Sequence, residues 1–162
     1  MASEFRMRRR VEFVETDMAG IVHFSNFFRW MEQTEHAFFR SLGFTLHSQS
    51  HGGDQEPSEM YGWARVHASC DYEKPLKYQD LFEVRLRVVK KSVATLTFEM
   101  TFYRVDTPDL VVDVDHDGEL QEVARGKMKT CCVTRQGSDR IRAREMPEEI
   151  NAAIEAAAPT TA

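Results

Sequence analysis

The sequence predicts an α+β domain in which one long helix packs against a long antiparallel sheet. Three observations carry this. The only long, strongly apolar helical pattern lies between residues 25 and 42. Four later segments alternate apolar and polar residues with a period of two, the mark of half-buried strands. Short turns join several of these segments, which implies antiparallel neighbours. One strand, one buried helix and then a run of strands leaves the helix covering one sheet face.

With 162 residues the chain can bury one proper core, and it shows no internal repeat or second domain. Residues 1–146 read as the domain, and residues 147–162 as a short C-terminal helix and tail. A net charge of -5 argues against a general nucleic-acid binder. Cys70, Cys131 and Cys132 are odd in number and two are adjacent, so they form no disulfide framework. They contain no CxxC pair for zinc and read as thiols in a reducing compartment. No apolar run approaches the roughly 18 residues of a membrane span. Arg6, Arg8, Arg9 and Arg10 lack the apolar stretch of a signal peptide, so the expected location is cytoplasmic.

In chain order, residues 5–15 read as a first strand with Val11 and Phe13 on one face. Thr16 to Gly20 is a turn. The helix starts with Ser25 or Asn26, either of which can accept from the first free N–H groups as N-cap, and runs to Leu42. Gly43 then serves as the left-handed residue that closes it. Phe27, Trp30, Met31, Thr34, Phe38 and Leu42 form one stripe, and Phe28 and Phe39 widen it, so this helix is buried on more than one side.

Residues 45–60 are polar, with Gly52, Gly53 and Pro57, and read as a long loop. His47 and His51 have metal-like spacing, but the glycine pair denies them a helix. The four strands follow. Ala64, Val66, Ala68, Cys70 and Tyr72 share a face, then Phe82, Val84, Leu86 and Val88. Next come Ala94, Leu96, Phe98, Met100 and Phe102, with Thr95, Thr97, Glu99 and Thr101 on a solvated back. The last strand, about 119–134, turns Ala124, Gly126, Met128, Thr130 and Cys132 inward. Pro147 to Ala158 reads as a short surface helix with a frayed tail.

Several residues suggest chemistry. Asp113, Asp115, Asp117 and Gly118 match the opening of an EF-hand loop, but position twelve is Ala124 and the flanks read as strands. An acidic hairpin loop is the better reading. Lys90, Lys91 and Ser92 form a basic turn: a solvated hairpin, or a phosphate clamp. His23 and His36 flank the helix as possible bases, with no nucleophile motif beside them. Glu32 and Glu35 on the helix are ordinary wet-side glutamates or a second acid.

Asp17 is the sharpest case. Asp before a Gly turn commonly accepts backbone bonds. However, Met18, Ala19, Ile21, Val22 and Phe24 surround it with apolar residues, which would partly desolvate the carboxylate. It also precedes a helix start, where free N–H groups can hold an oxyanion. Carboxylate plus oxyanion donor is a minimal set for acyl transfer or hydrolysis.

These residues resemble a known signature. Val11, Glu12 and Phe13, then Asp17, Ala19, Gly20, Ile21, Val22, Phe24, Asn26, Phe27, Arg29 and Trp30 closely resemble the motif of the 4-hydroxybenzoyl-CoA thioesterase family of hot-dog-fold acyl-CoA thioesterases. The similarity continues more loosely through Gly43, the Cys70–Asp80 stretch, the Lys90 turn and Ala124–Gly126, and so spans about residues 5–134.

The resemblance implies a hot-dog fold: a long antiparallel sheet around one central helix. It implies homodimers or homotetramers with active sites at the subunit interface. The substrate would be an acyl-CoA or acyl-carrier-protein thioester, with no metal and no cofactor beyond the CoA of the substrate. Asp17 matches the catalytic carboxylate, as nucleophile or general base. Phe24 matches the residue whose backbone N–H polarises the thioester carbonyl. Gly20 would serve the turn, Asn26 would cap or position it, and His23 would line the substrate. Lys90, Lys91 and Ser92 would hold CoA phosphates. Where this chain has Phe24 and Phe27 the family often has Tyr, so a phenol contact to the acyl group would be missing. A hot-dog dehydratase or hydratase would need a His and acid pairing that this chain does not show. A non-catalytic acyl-CoA or carrier-protein binding module would keep the pocket but tolerate loss of Asp17.

Overall fold

A computed structural model describes residues 1–46, 60–108, 113–136 and 140–158. The elements are β1 (Glu4–Arg10), a 3-10 turn (Phe13–Glu15), α1 (Ser25–Ser41), β2 (Gly62–Tyr72), β3 (Leu81–Lys91), β4 (Thr95–Val105), β5 (Leu120–Gln136), β6 (Arg140–Ala143) and α2 (Glu148–Ala153). The strands form one antiparallel sheet in the order β1-β3-β4-β5-β2, with β6 added on the far end of β5.

The period-two alternation does what it predicts in the centre of the sheet. Phe82, Val84, Leu86, Val88, Leu96, Phe98, Met100 and Phe102 are all fully buried. Against them α1 presents Phe27, Trp30, Met31, Phe38 and Phe39, the predicted stripe. Each such side chain removed from water contributes about 1.5–3 kcal/mol, so this seam fixes where the helix lies. Trp30 sits 4.3 Å from Phe82, centroid to centroid. A Cβ at Gly126 on β5 would sit 2.2 Å from the Met31 sulfur, so any larger residue there displaces that side chain. Gly43 adopts φ 84° and ends α1 as expected.

Four expectations are corrected. The first strand stops at Arg10, because the chain folds into the 3-10 turn, where Glu15 reaches back to the Glu12 N–H at 2.8 Å. Phe13 therefore leaves the core and meets Tyr78 edge-on at the surface. Neither Ser25 nor Asn26 is the N-cap; Phe24 occupies that position with helical angles and no side-chain cap. On β2 a bulge between Arg65 and His67 breaks the alternation. Val66 is thereby exposed, while Trp63 is buried against Phe39. The back of β4 is less solvated than expected: Thr97 and Thr101 are buried, Thr101 lying between Arg85 and Arg125 in the register.

The C-terminal segment is tied down rather than lying free on the surface. Ile150 and Ile154 are buried, Glu155 N–H donates to the Ala2 carbonyl, and Ala157 N–H donates to Val88. Strand β6, absent from the sequence reading, is four residues long and exposed throughout, so it carries no apolar alternation. The loop at 45–60, with His47 and His51, lies almost wholly outside the described residues, as does the middle of the 106–118 connection.

Candidate active site

The segment 15–26 is held by one carboxylate that sequence reasoning passed over. Glu15 is buried, and its Oε1 accepts from Arg9 and from the Trp30 indole N–H, both at 2.9 Å. Its Oε2 takes the Glu12 N–H, and its carbonyl takes the His23 N–H and the Asn26 amide at 2.9 and 2.8 Å. One residue thus joins β1, the start of the loop and the first two turns of α1. A glutamate three places from another in a strand-like run gave no signal of this, because its partners lie up to 15 residues away.

Within that clamp the chain makes a tight loop. Thr16 bridges Val22, Asp17 N–H donates to Ile21, and Gly20 N–H donates back to the Asp17 carbonyl at 3.0 Å. Gly20 has φ 76°, the left-handed region in which a side chain costs about 1–2 kcal/mol. Asp17 Oδ1 accepts the Ala19 N–H at 2.8 Å, leaving its other oxygen available. The expected desolvation is not present in the single chain. Asp17, Met18 and Ala19 are exposed, because the apolar neighbours Ile21 and Val22 turn toward the body while Met18 turns out.

Asp17 nevertheless lines a cleft of about 370 Å³ with Ile21, Val22, Phe24, Phe27 and Tyr72, closed on one side by Pro75 and Leu76. The two walls are stitched by the Val22 N–H donating to Leu76 at 2.8 Å. Phe24 stands at the N-terminus of α1, and its N–H finds no acceptor among the described residues. The helix end adds a partial positive charge of about half a unit there. A carboxylate and a free amide on one apolar cleft are the two groups that acyl transfer from a thioester needs.

The other predicted residues fall into two sets. His23 and Asn26 support the cleft from behind: His23 Nδ1 pairs with Ser25 Oγ at 2.8 Å, and Asn26 ties α1 to Glu15. Lys90, Lys91 and Ser92 are not brought to Asp17. Lys90 and Lys91 end β3 and Ser92 follows it; the strand's eleven residues at about 3.3 Å each set the Lys91 end roughly 30 Å from the Leu81 end beside Val11. Lys91 Nζ is held by the carbonyls of Asn151 and Ile154, and Ser92 Oγ closes the hairpin onto Thr95. Lys90 is exposed. The acidic stretch at 113–118 folds as a loop between strands, with His116 N–H on the Asp113 carbonyl. Among the described residues no group of three or more metal-ligating side chains is assembled. All three cysteines are free.

Comparisons with known proteins place the chain in a family. A family model described as the thioesterase-like superfamily matches residues 11–154, which includes the turn, α1 and α2. The chain belongs to the thioesterase-like superfamily. A relative from Aquifex aeolicus (strain VF5), named "Putative esterase", is 40% identical over 102 residues, 63% of this chain and 74% of that one. A 1,4-dihydroxy-2-naphthoyl-CoA hydrolase from Prochlorococcus marinus (strain NATL2A) is 28% identical over 59% of this chain and 63% of its own length. Among solved structures, 4-hydroxybenzoyl-CoA thioesterase from Pseudomonas sp. strain CBS-3 superposes with a TM-score of 0.73 at 19% identity, covering 94% of this chain and 99% of that one. This thioesterase-family chain therefore has the hot-dog fold that its motif implied, and its relatives carry hydrolase and thioesterase names. No helix among the described residues is long and apolar enough to cross a membrane.

Proposed function

We propose that this protein hydrolyses an acyl-CoA thioester to a carboxylic acid and free CoA thiol. The observation that carries the reading is the cleft in which Asp17 and the unpaired Phe24 N–H stand together at the start of α1. The acyl group enters the apolar side of the cleft, against Phe24, Phe27 and Tyr72. The thioester carbonyl accepts from the Phe24 N–H, which stabilises the oxyanion as it forms. Asp17 either attacks the carbonyl carbon, giving an anhydride that water opens, or takes a proton from the attacking water. Either route uses only protein groups and water. Gly20 sets the turn that presents Asp17, and Asn26 and His23 hold the helix start behind it.

The active unit in this reading contains at least two copies. The turn exposes Phe13, Val14, Met18 and Phe24, and β2 is a sheet edge of eleven residues with Val66 uncovered. Such an edge offers unpaired N–H and C=O groups to another chain. A second copy against β2 and the turn would desolvate Asp17, which a single chain leaves wet. In this reading Lys90 of a neighbouring copy holds a CoA phosphate, with Lys91 and Ser92 shaping that turn.

The test is release of free thiol from a panel of aromatic, short-chain and long-chain acyl-CoAs. Turnover of one class establishes the reaction and identifies the acyl group. No release from any of them by folded protein overturns the acyl-CoA hydrolase reading and favours a carrier-protein substrate or a binding module.

A further inference from the structure

One side chain that lines the cleft is also bonded to the helix start. Tyr72 closes β2, and its ring stands edge-on to Phe27 with centroids 5.0 Å apart. Its hydroxyl donates to the Phe24 carbonyl across 48 residues of sequence, at 3.2 Å. That carbonyl also takes the Phe27 N–H at 3.3 Å, in the first turn of the helix. Beyond Tyr72 the chain stays locked, with the Glu73 and Lys74 N–H groups both on the Val123 carbonyl. Partial burial, followed by the neighbouring Cys70, pushes the Tyr72 phenol up to about 12 even though 45% of the residue is exposed, so the hydroxyl is protonated near neutral pH.

Phe24 is the N-cap of α1 and has no side-chain cap to fix it. Its backbone is therefore free to fray, as helix ends do, unless something outside the helix holds it. On the loop side, the Glu15 carbonyl grips the His23 N–H one residue earlier. On the helix side, Tyr72 grips the Phe24 carbonyl itself. The peptide N–H of Phe24 lies between these two anchors.

We propose that Tyr72 is a positioning residue, fixing the Phe24 backbone so that its N–H points into the cleft at the thioester oxygen. This rests on the hydrolase reading for its consequence but not for its geometry. The bond is long for O–H···O, which ordinarily spans about 2.5–3.0 Å, so its effect is that of one modest hydrogen bond. Loss of such a bond corresponds to a rate fall of about three- to tenfold.

The experiment uses Tyr72→Phe, which keeps the ring and removes only the hydroxyl, with Tyr78→Phe as a control outside the cleft. The backbone amide of Phe24 is first followed by NMR in protein labelled with 15N-phenylalanine, without substrate. Its peak should shift or broaden in Tyr72→Phe and stay in place in Tyr78→Phe. On the acyl-CoA that the wild type turns over best, kcat should fall about three- to tenfold while KM changes less than about twofold. A general structural defect would instead move many phenylalanine peaks and lower the melting temperature. An unmoved Phe24 amide, or an unchanged kcat beside an active wild type, overturns the proposal. A wild type with no activity but a shifted Phe24 amide would sink the hydrolase reading and leave the positioning role standing.

Discussion

Replacing Glu15 by Ala tests whether one carboxylate really assembles the loop. In the native protein its oxygens accept three bonds, from Arg9, the Trp30 indole and the Glu12 N–H. Trp30 is fully buried, so its N–H is left with no water to replace the carboxylate, at a cost of about 1–3 kcal/mol. Glu12 is exposed and its N–H can be rehydrated, which adds little. Arg9 is 21% exposed, stays near Gln33 and Glu12, and contributes about 1 kcal/mol more. The expected loss is about 3 kcal/mol, a large part of a typical total of about 5–15 kcal/mol. For a chain of this size it lowers the melting temperature by roughly 6–12 °C. Glu15→Gln keeps one acceptor oxygen and should lose about half as much. Urea titrations of the three proteins measure this directly. A loss below about 1 kcal/mol for Glu15→Ala would refute the idea that these bonds hold the loop, since the Trp30 term alone reaches that value at its lower end.

Other consequences follow from the same structure. Gly20→Ala, forced into φ 76° with open space around it, should cost about 1–2 kcal/mol through backbone strain alone and reduce turnover, seen by thermal melting beside the thiol assay. Burial raises the Glu83 carboxyl, but hydrogen bonds and charge from Arg8 and Arg85 outweigh that and hold it below its ordinary 4.5. A lowered carboxylate stabilises above its unfolded value and loses that contribution as pH falls. The stability gap between wild type and Glu83→Gln should therefore narrow on acidification below about pH 4.5; a gap independent of pH contradicts it. Glu35 has the opposite sign: burial raises it more than Arg65 lowers it, so its ionisation opposes folding as pH climbs above 4.5, and Glu35→Gln should flatten that decline. Val66→Lys on the exposed β2 edge should shift the solution mass by light scattering toward the 18.7 kDa monomer; an unchanged oligomer would place the interface elsewhere.

Much of this was legible in the chain because burial writes a period into sequence. The α1 stripe and the apolar faces of β3, β4 and β5 are each set by the same one-sided packing that the structure shows. Gly20 and Gly43 announce positive φ because other residues resist it. What was hidden depends on contacts between distant parts. The bulge in β2 turns Arg65 to the buried Glu35 and exposes Val66, and no local pattern marks it. Glu15 and Tyr72 act through partners on other elements, so their residue types alone look like a strand glutamate and a strand tyrosine. Asp17 stands out in the sequence for a reason the single chain does not bear out. Its neighbours are apolar, yet several face outward, and their burial belongs to the proposed second copy.

The most direct test of the central claim is the turnover number of Asp17→Asn on the acyl-CoA that the wild type hydrolyses best, measured with its melting temperature. Asn keeps the size and the bond to the Ala19 N–H but can neither attack nor accept a proton as a carboxylate does. The account predicts a fall in kcat of at least about a hundredfold with the melting temperature nearly unchanged. A variant that retains near-normal turnover would contradict it, and would move the chemistry away from this turn.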